Sequence, residues 1–379
     1  MKTKLFICLF AFCISSCNYL DYDESDFLEK EAVFSSFKYT RNFLTNIYSY
    51  VPAAFGTIGD DAMRSAACDE AVFVDNLSPV HSFNNGAWSA INTLDDKWNY
   101  FSGIRAVNMF LKETEGQEFD DLKHNEDYND IMAQFKYYPY EARFLRAYFY
   151  FELAKRYGDI PLITTLLTEE EANQQKRASF ETIIQFIIDE CDAIAPHLPV
   201  SYKDLIKSET GRATKGAAMA LKSRALLYAA SALFNSNNDI EKWELAARAA
   251  ADVIDKAWDF GYMPLPDLWS LWNNNYTNNN ELIFGVMQKE DNWFERVNFP
   301  IGIEGGGNTG HCPTENLVEA YEMQDSGLPV TSKAGYEHAD PNYDPQNPYE
   351  GRDPRMYELV AQNGAWWVYD EQIECWYGG

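Results

Sequence analysis

Glycines at nucleotide-site spacing and scattered histidines are the first residues of this chain that could support chemistry. Gly305, Gly307 and Gly310 fit a GxGxxG turn, but a dinucleotide site needs a strand directly before that turn and a helix directly after it. Here Pro313 follows a loop, so no nucleotide is expected. The five histidines include no HExxH pair, which argues against a metalloenzyme.

Acidic residues dominate the charge of the chain. Its 379 residues contain 58 Asp and Glu against 31 Lys and Arg, for a formal charge of −27. Two carboxylates could pair as a glycosidase acid and base, but most acids in such a chain lie on solvated surface, and no enzyme is predicted. The same charge repels phosphate, so nucleic acid is not an expected partner.

The cysteines give no metal-binding pattern. Four of them, Cys68, Cys191, Cys312 and Cys375, are widely spaced and form no CxxC, so neither zinc nor another cofactor is expected. The spacing does not pair them, and free cysteines remain the simplest reading.

Aromatic residues make up 15% of the chain, and those outside predicted helices are candidates for ligand binding. The apolar face of a sugar stacks on an aromatic ring, while amides, carboxylates and guanidinium groups bond its hydroxyls. Trp293 in the polar loop 289–298 is the first candidate. Further ligand-binding candidates in this part of the chain are Phe294, Asn292 and Arg296, together with Trp269, Trp272 and Tyr276, which lie beside two Asn clusters. For each of these candidates the alternative to ligand binding is local packing. Trp98 and Trp243 lie in predicted helices and are expected in the core.

Apolar periodicity predicts the elements that position these residues. Helices are expected over 37–51, 88–111, 131–157, 180–195, 214–234 and 240–258. Ser179 and Thr214 are predicted N-caps, Gly158 a C-cap, and the last helix should pack through Ala246, Ala247, Ala250 and Ala251. The last two helices form a hairpin of tetratricopeptide size. Beyond residue 259, loops prevail, with a strand over 281–288 and a helix over 314–323. The chain is therefore mainly α.

The N-terminal sequence is typical of an export signal. Lys2 and Lys4 precede an apolar run over 5–14 that is too short to span a bilayer. Ile14-Ser15-Ser16-Cys17 resembles the bacterial lipobox, which implies cleavage before Cys17 and lipidation of that residue. Residues 1–16 are then a lipoprotein signal peptide and 17–35 a lipidated tether. An ordinary signal peptide is the alternative.

One long motif is recognisable. The stretch 140–153, followed by Tyr157-Gly158-Asp159-Ile160-Pro161, closely resembles the hallmark helix of the SusD/RagB family. Stretches 211–218, 280–284, 313–318 and 348–355 resemble further family markers in the same order. Within the hallmark helix, Glu141, Arg143 and Arg146 interrupt apolar residues and predict a buried ion network, since buried charges must be paired.

The resemblance implies a SusD-like domain over 36–379. Residues 36–258 would form a mostly helical core, a superhelix of tetratricopeptide-like helix pairs. Residues 259–379 would form a loop-rich part with a few short strands, incomplete at its C-terminus because family members continue further. By position, the segment 69–88 matches a family loop that contacts ligand, which adds Asp69, Phe73, Asn76, Asn84 and Trp88 to the candidates.

The function implied by the resemblance is that of a cell-surface lipoprotein of Bacteroidota, anchored by lipid in the outer membrane. It would capture an oligosaccharide and pass it to a partner TonB-dependent, SusC-like transporter. Peptide binding on the same scaffold is the alternative, and a glycoside hydrolase is a third reading.

Overall fold

The computed structural model describes residues 28–52, 56–203, 209–266, 270, 279–285, 291–330, 338–367 and 371–375. Its helices are α1 (Lys30–Ser35), α2 (Phe37–Tyr48), α3 (Ser82–Asn85), α4 (Tyr100–Glu113), α5 (Tyr128–Phe135), α6 (Tyr138–Tyr157), α7 (Glu169–Asn173), α8 (Phe180–Ile194), α9 (Lys215–Ala230), α10 (Ile240–Phe260), α11 (Trp293–Asn298), α12 (Glu315–Ala320) and α13 (Pro354–Leu359). Its strands are β1 (Ala71–Phe73), β2 (Ile160–Pro161), β3 (Arg177–Ala178) and β4 (His311–Pro313). Among the helices so described, none is long and apolar enough to cross a membrane. The predicted mainly α fold is confirmed.

Helix α6 runs through the main core. Pro139 lies in its first turn, where a missing N–H is tolerated. Gly158 ends the helix with a φ of 66°, a value that favours glycine. The helix is buried around most of its circumference, so α2, α4, α8 and α9 pack against its different sides. Much of the aromatic content of the chain fills this core, including Phe144, Phe149, Tyr150 and Phe151.

Consecutive helices α8, α9 and α10 pack as neighbouring pairs, as expected for a tetratricopeptide-like array. The predicted caps are confirmed: the Ser179 and Thr214 hydroxyls each accept a backbone N–H of the first turn at 3.2 Å. Helix α9 ends at Ala230, four residues earlier than predicted. Of the alanines predicted to pack, Ala246 is buried, whereas Ala247, Ala250 and Ala251 are exposed; Ala249 takes the second inner position.

The helix predicted over 88–111 begins only at Tyr100. Asp95 and Lys97 have φ values of 56° and 54°, in the left-handed region, which a right-handed helix cannot contain. Trp98 therefore lies before the helix and is 48% exposed. Trp243 is helical but 42% exposed. The expectation that both tryptophans belong to the core was wrong.

The N-terminal boundary also differs from the prediction. The tether was expected to reach residue 35, yet Lys30–Ser35 is helical, and Phe34 is buried with its ring 5.1 Å from that of Phe43. The signal segment 1–16 and Cys17 lie outside the described residues.

Residues of the two predicted parts of the domain pair with each other. Strand β1 pairs antiparallel with β4, so that Val72 lies opposite Cys312. The segment around 71–73 thus joins the loop-rich part rather than the helical core. The strand predicted over 281–288 is not formed at 281–285, and 286–288 lie outside the described residues. The helix predicted over 314–323 is the shorter α12, capped by Thr314.

A buried carboxylate joins three elements at the start of α6. Glu141 has no exposed surface and accepts hydrogen bonds from Tyr48 at 2.7 Å, Tyr202 at 2.8 Å and Arg212 at 2.9 Å. Burial of a carboxylate is tolerated when it is paired and bonded in this way. Burial also raises the pKa of the Tyr48 and Tyr202 hydroxyls, which keeps both as donors. The predicted ion network is confirmed.

A second part of this network joins α6 to α8. Arg143 and Arg146 both bind Glu190, at 2.8 Å and 3.1 Å, and Arg146 also donates to Asn108 at 2.8 Å. Burial alone would raise the pKa of Glu190, but the hydrogen bond from Arg143 and the charge of Arg146 lower it below its usual value.

Replacing Glu141 by alanine should lower the free energy of unfolding by about 3 kcal/mol or more, because Arg212 loses a buried partner and two tyrosine hydroxyls lose their acceptor. Urea denaturation followed by tryptophan fluorescence measures the change. The matched control Glu244→Ala removes an exposed ion pair with Arg248 and should cost less than about 0.5 kcal/mol. Similar losses in both variants would contradict the prediction.

Candidate functional site

A small hydrophobic cluster, distinct from the main core, supports the loop-rich face. It consists of Ala62, Ala66, Phe73, Val80 and Val297, with Phe83 and Trp293 packed against it. The β1–β4 pairing brings its two halves together. This cluster therefore places the predicted loop 69–88 beside helix α11.

Trp293, the first candidate, opens helix α11 and has a structural role that the sequence did not reveal. Its backbone N–H donates to Asp291 Oδ1 at 3.0 Å, and its indole N–H donates to Asp61 Oδ1 at 2.5 Å. The ring is partly buried on the small hydrophobic cluster. Because the ring both packs and hydrogen-bonds, its removal should also destabilise the fold, contrary to what its polar local sequence suggests.

The neighbours of Trp293 share its short helix. Phe294 is partly buried, with its ring centre 6.4 Å from that of Trp293, whereas Asn292 and Arg296 are exposed. Trp269, Trp272 and Tyr276 lie outside the described residues.

The candidates from the loop 69–88 fall into two groups. Phe73 is 6% exposed and packs with its ring centre 4.7 Å from that of His311, and Asn84 uses its amide to bond the Ala66 carbonyl at 3.0 Å. Phe73 therefore presents no ring face to a ligand. Asp69 and Asn76 are exposed. Trp88 is 52% exposed and belongs to the segment described next.

Residues 86–99 form an exposed segment, here called the aromatic loop, which carries two tryptophans. The Trp88 ring stacks on Phe83 with centres 5.4 Å apart. The Trp98 ring stacks on Tyr157, at the end of α6, with centres 4.2 Å apart and planes at 19°. About half of each tryptophan remains exposed. Each indole is thus held by a second ring while keeping surface for a ligand, which reduces the ordering cost of binding.

An ion cluster fixes the aromatic loop to α6. Asp95 binds Arg156 at 2.6 Å, Arg64 at 2.9 Å and Lys97 at 3.0 Å, and Arg156 in turn binds Glu152 at 2.8 Å. The Tyr157 hydroxyl donates to the Asp96 carbonyl at 2.6 Å. These bonds hold Asp95 in its left-handed conformation, which persists only where surrounding contacts determine it.

The charge state of Asp95 follows from this setting. Burial alone would raise the pKa of its carboxyl, but hydrogen bonds from Arg156, Lys97 and Arg64 outweigh burial and lower the pKa below its ordinary value of 3.8. Trp98 and Asp95 are the site residues that sequence reasoning missed. The run Asp95-Asp96-Lys97 was the available signal, because charges are unusual on the buried stripe of a helix.

The glycine motif and the histidine nearest it serve packing. A Cβ on Gly307 would lie 2.2 Å from the Glu295 carbonyl, and one on Gly310 would lie 2.6 Å from that of Val297. His311 bonds the Met63 N–H at 2.7 Å, and burial lowers its pKa. In the part of the chain that the structure describes, no three His, Cys, Asp or Glu residues are grouped as metal ligands.

The Asp95 cluster predicts a pH dependence. A carboxyl whose pKa is depressed by folding stabilises the fold fully above its ordinary pKa, and this contribution is lost as the pH falls through the folded-state value. Asp95→Asn should therefore cost about 1–2 kcal/mol near pH 7, and the difference from wild type should shrink towards pH 3. Thermal unfolding across that range tests it, with exposed Asp96→Asn as the control. A difference that is independent of pH would refute the assignment.

Two family models match the chain. One, described as starch-binding and associating with the outer membrane, matches residues 18–227, and the SusD family model matches residues 269–377. A curated relative, a SusD-like protein of Formosa agariphila, is 22% identical over 74% of this chain and 51% of its own length.

Solved structures agree in fold. A SusD-like protein from Bacteroides fragilis is 27% identical with a TM-score of 0.68, covering 89% of this chain and 62% of its own. A second structure from the same organism, described as a SusD-like carbohydrate-binding protein, is 24% identical with a TM-score of 0.63, covering 88% and 61%. The chain thus spans about half to three fifths of these relatives. Since the first family model alone matches more than half of the chain, this protein belongs to the SusD family.

Proposed function

We propose that this protein binds a neutral oligosaccharide on the aromatic loop, at the half-exposed rings of Trp88 and Trp98. The observation that carries the proposal is that both indoles are stacked on a second ring, and that the Asp95 ion cluster fixes the part of the loop beside Trp98. A preformed pair of aromatic surfaces suits the apolar faces of sugar rings, whose individual contacts are weak and must be combined.

Polar groups beside the rings can bond sugar hydroxyls. Asn92, Asp96 and Asn99 are exposed in the same loop. The Asn92 amide N–H donates to the Ala87 carbonyl at 2.8 Å, which leaves its amide oxygen as an acceptor on a fixed side chain. Further exposed polar residues are Asn292 and Arg296, at helix α11, and Asp69 and Asn76, which flank strand β1. The formal charge of −27 favours a neutral ligand over an anionic one.

Anchoring and delivery complete the proposal. Lipidation at Cys17 would hold the protein at the outer surface of the outer membrane, and the bound oligosaccharide would pass to a TonB-dependent, SusC-like transporter. The family description as starch-binding and outer-membrane-associated supports this reading. The protein acts by binding and does no chemistry on its ligand.

Affinity gels containing starch, laminarin, arabinoxylan or anionic pectin identify the ligand class. Retention on a neutral glycan should be lost in the double variant Trp88→Ala/Trp98→Ala, and each single variant should weaken binding about fivefold or more, since each stack contributes roughly 1 kcal/mol. The melting temperature should change by less than about 3 °C, because both rings lie half outside the fold.

Two controls make this test specific. Trp243→Ala and Trp366→Ala remove tryptophans that are 42% and 70% exposed elsewhere on the chain, and retention should be unchanged. Full retention by the double variant would overturn the placement of the site. Binding of a peptide library with no glycan retained would favour the peptide alternative, and release of sugar from any gel polysaccharide would favour a hydrolase.

A further inference from the structure

Helix α10 carries an apolar stripe on its outer side. Its inner side packs against α9 through Ala246 and Ala249, which are the buried residues of the helix. Away from this contact, apolar residues recur at steps of three or four positions, which is the spacing along which helices pair in coiled coils. We call this stripe the α10 seam; it consists of Ile240, Trp243, Ala247, Ala250, Ile254 and Trp258.

The α10 seam is open to solvent along its whole length. Ile240, Ile254 and Trp258 are 68%, 72% and 79% exposed, and Ala247 and Ala250 are exposed between them. Together the six residues leave on the order of 600 Å² of apolar surface in water, at the upper limit of the patches found on monomeric proteins. A continuous stripe of this size is typical of a surface that binds another protein chain.

The order of residues along the α10 seam makes it complementary to itself. When two copies of the helix lie antiparallel about a two-fold axis at its middle, Ile240 of one copy lies opposite Trp258 of the other. In the same register, Trp243 lies opposite Ile254, and Ala247 lies opposite Ala250. Each outer layer then contains one isoleucine and one tryptophan, so the layers match in volume.

The centre of the α10 seam suits a close approach of two helices. Because Ala247 and Ala250 are small, the two helix axes can come within about 8 Å of each other. In a parallel pair, by contrast, tryptophan would lie opposite tryptophan and isoleucine opposite isoleucine, which gives layers of unequal width. The antiparallel pair is also the one that aligns the two helix dipoles favourably.

The polar side of α10 borders the seam with charged residues. Acids outnumber bases there: Glu241, Glu244, Asp252, Asp255 and Asp259 stand against Arg248 and Lys256. A charged border around an apolar centre is typical of protein interfaces. Its acidity disfavours an anionic lipid surface as the occupant of the seam.

We infer that this protein forms a two-fold dimer by antiparallel pairing of the α10 seams of two copies. A stable interface needs roughly 800 Å² from each partner, of which the seam supplies most, so the dimer should be of moderate affinity. The charge of −27 on each copy opposes association, and salt screens this repulsion.

Dimerisation leaves the proposed glycan-binding surface of each copy free. The bonds and ring contacts that fix the aromatic loop reach Arg64, Arg156 and Tyr157, all of which lie outside α10. The dimer is therefore an additional property of the chain and does not depend on which ligand is bound.

Sedimentation equilibrium of the full chain tests the inference. Wild type should change from mostly monomer at about 1 µM to mostly dimer at about 100 µM. Raising the salt concentration from about 0.05 M to about 0.5 M should strengthen the dimer, because it screens the repulsion between two acidic copies.

Two variants that add the same charge make the test specific. Ile254→Glu places a carboxylate inside the paired seams and should weaken dimerisation about tenfold or more. Leu245→Glu adds a carboxylate on another side of the same helix, at a residue that is 44% exposed, and should leave dimerisation unchanged. Melting temperatures show that both variants are folded.

A chain that stays monomeric over the whole range at both salt concentrations would refute the dimer. Equal dimerisation of Ile254→Glu and Leu245→Glu would refute the assignment to the α10 seam. No oligosaccharide is present in these measurements, so failure here is distinguishable from failure of the proposed binding function.

Discussion

A charge buried inside a protein must be paired. Helix α6 carries such paired charges at three positions along its length. Near its start, Glu141 binds Arg212 and so fixes the approach to α9. One turn later, two arginines bind Glu190 of α8. At its end, Arg156 binds Asp95 of the aromatic loop. Removing one partner of such a pair is costly because the other charge stays buried. The contacts that position the core helices and those that position the candidate site therefore belong to the same helix.

The aromatic residues serve two purposes that burial separates. Inside the core, rings such as Phe149 and Tyr150 fill space between helices and are closed to solvent. On the aromatic loop, Trp88 and Trp98 each use a neighbouring ring as a support and keep about half of their surface exposed. Large exposed rings are unfavourable in water unless a ligand covers them. The acidity of the chain complements this arrangement, since it keeps the surface soluble and disfavours anionic ligands.

Local signals predicted the fold better than the site. A helix cap such as Ser179 depends on residues a few positions away, so it could be predicted from the sequence. The ion network of α6 could also be predicted, because buried charges must be paired. The aromatic loop was misread because its apolar spacing imitates a helix, while ion pairs from distant residues hold Asp95 in a left-handed conformation. Likewise, nothing near Trp293 reveals its bond to Asp61, more than 200 residues away. Tertiary contacts of this kind are invisible to periodicity.

We propose that the Asp95 cluster organises the aromatic loop for binding without contacting the ligand itself. A double-mutant cycle measures this directly: isothermal titration with the glycan retained on affinity gels, on wild type, Asp95→Asn, Trp98→Ala and the double variant. Asp95→Asn should weaken binding by up to about fivefold in the wild-type background, no more than loss of the Trp98 ring does, and by less than about twofold once Trp98 is gone, because its effect acts through that ring. Equal, additive losses in both backgrounds would contradict the account.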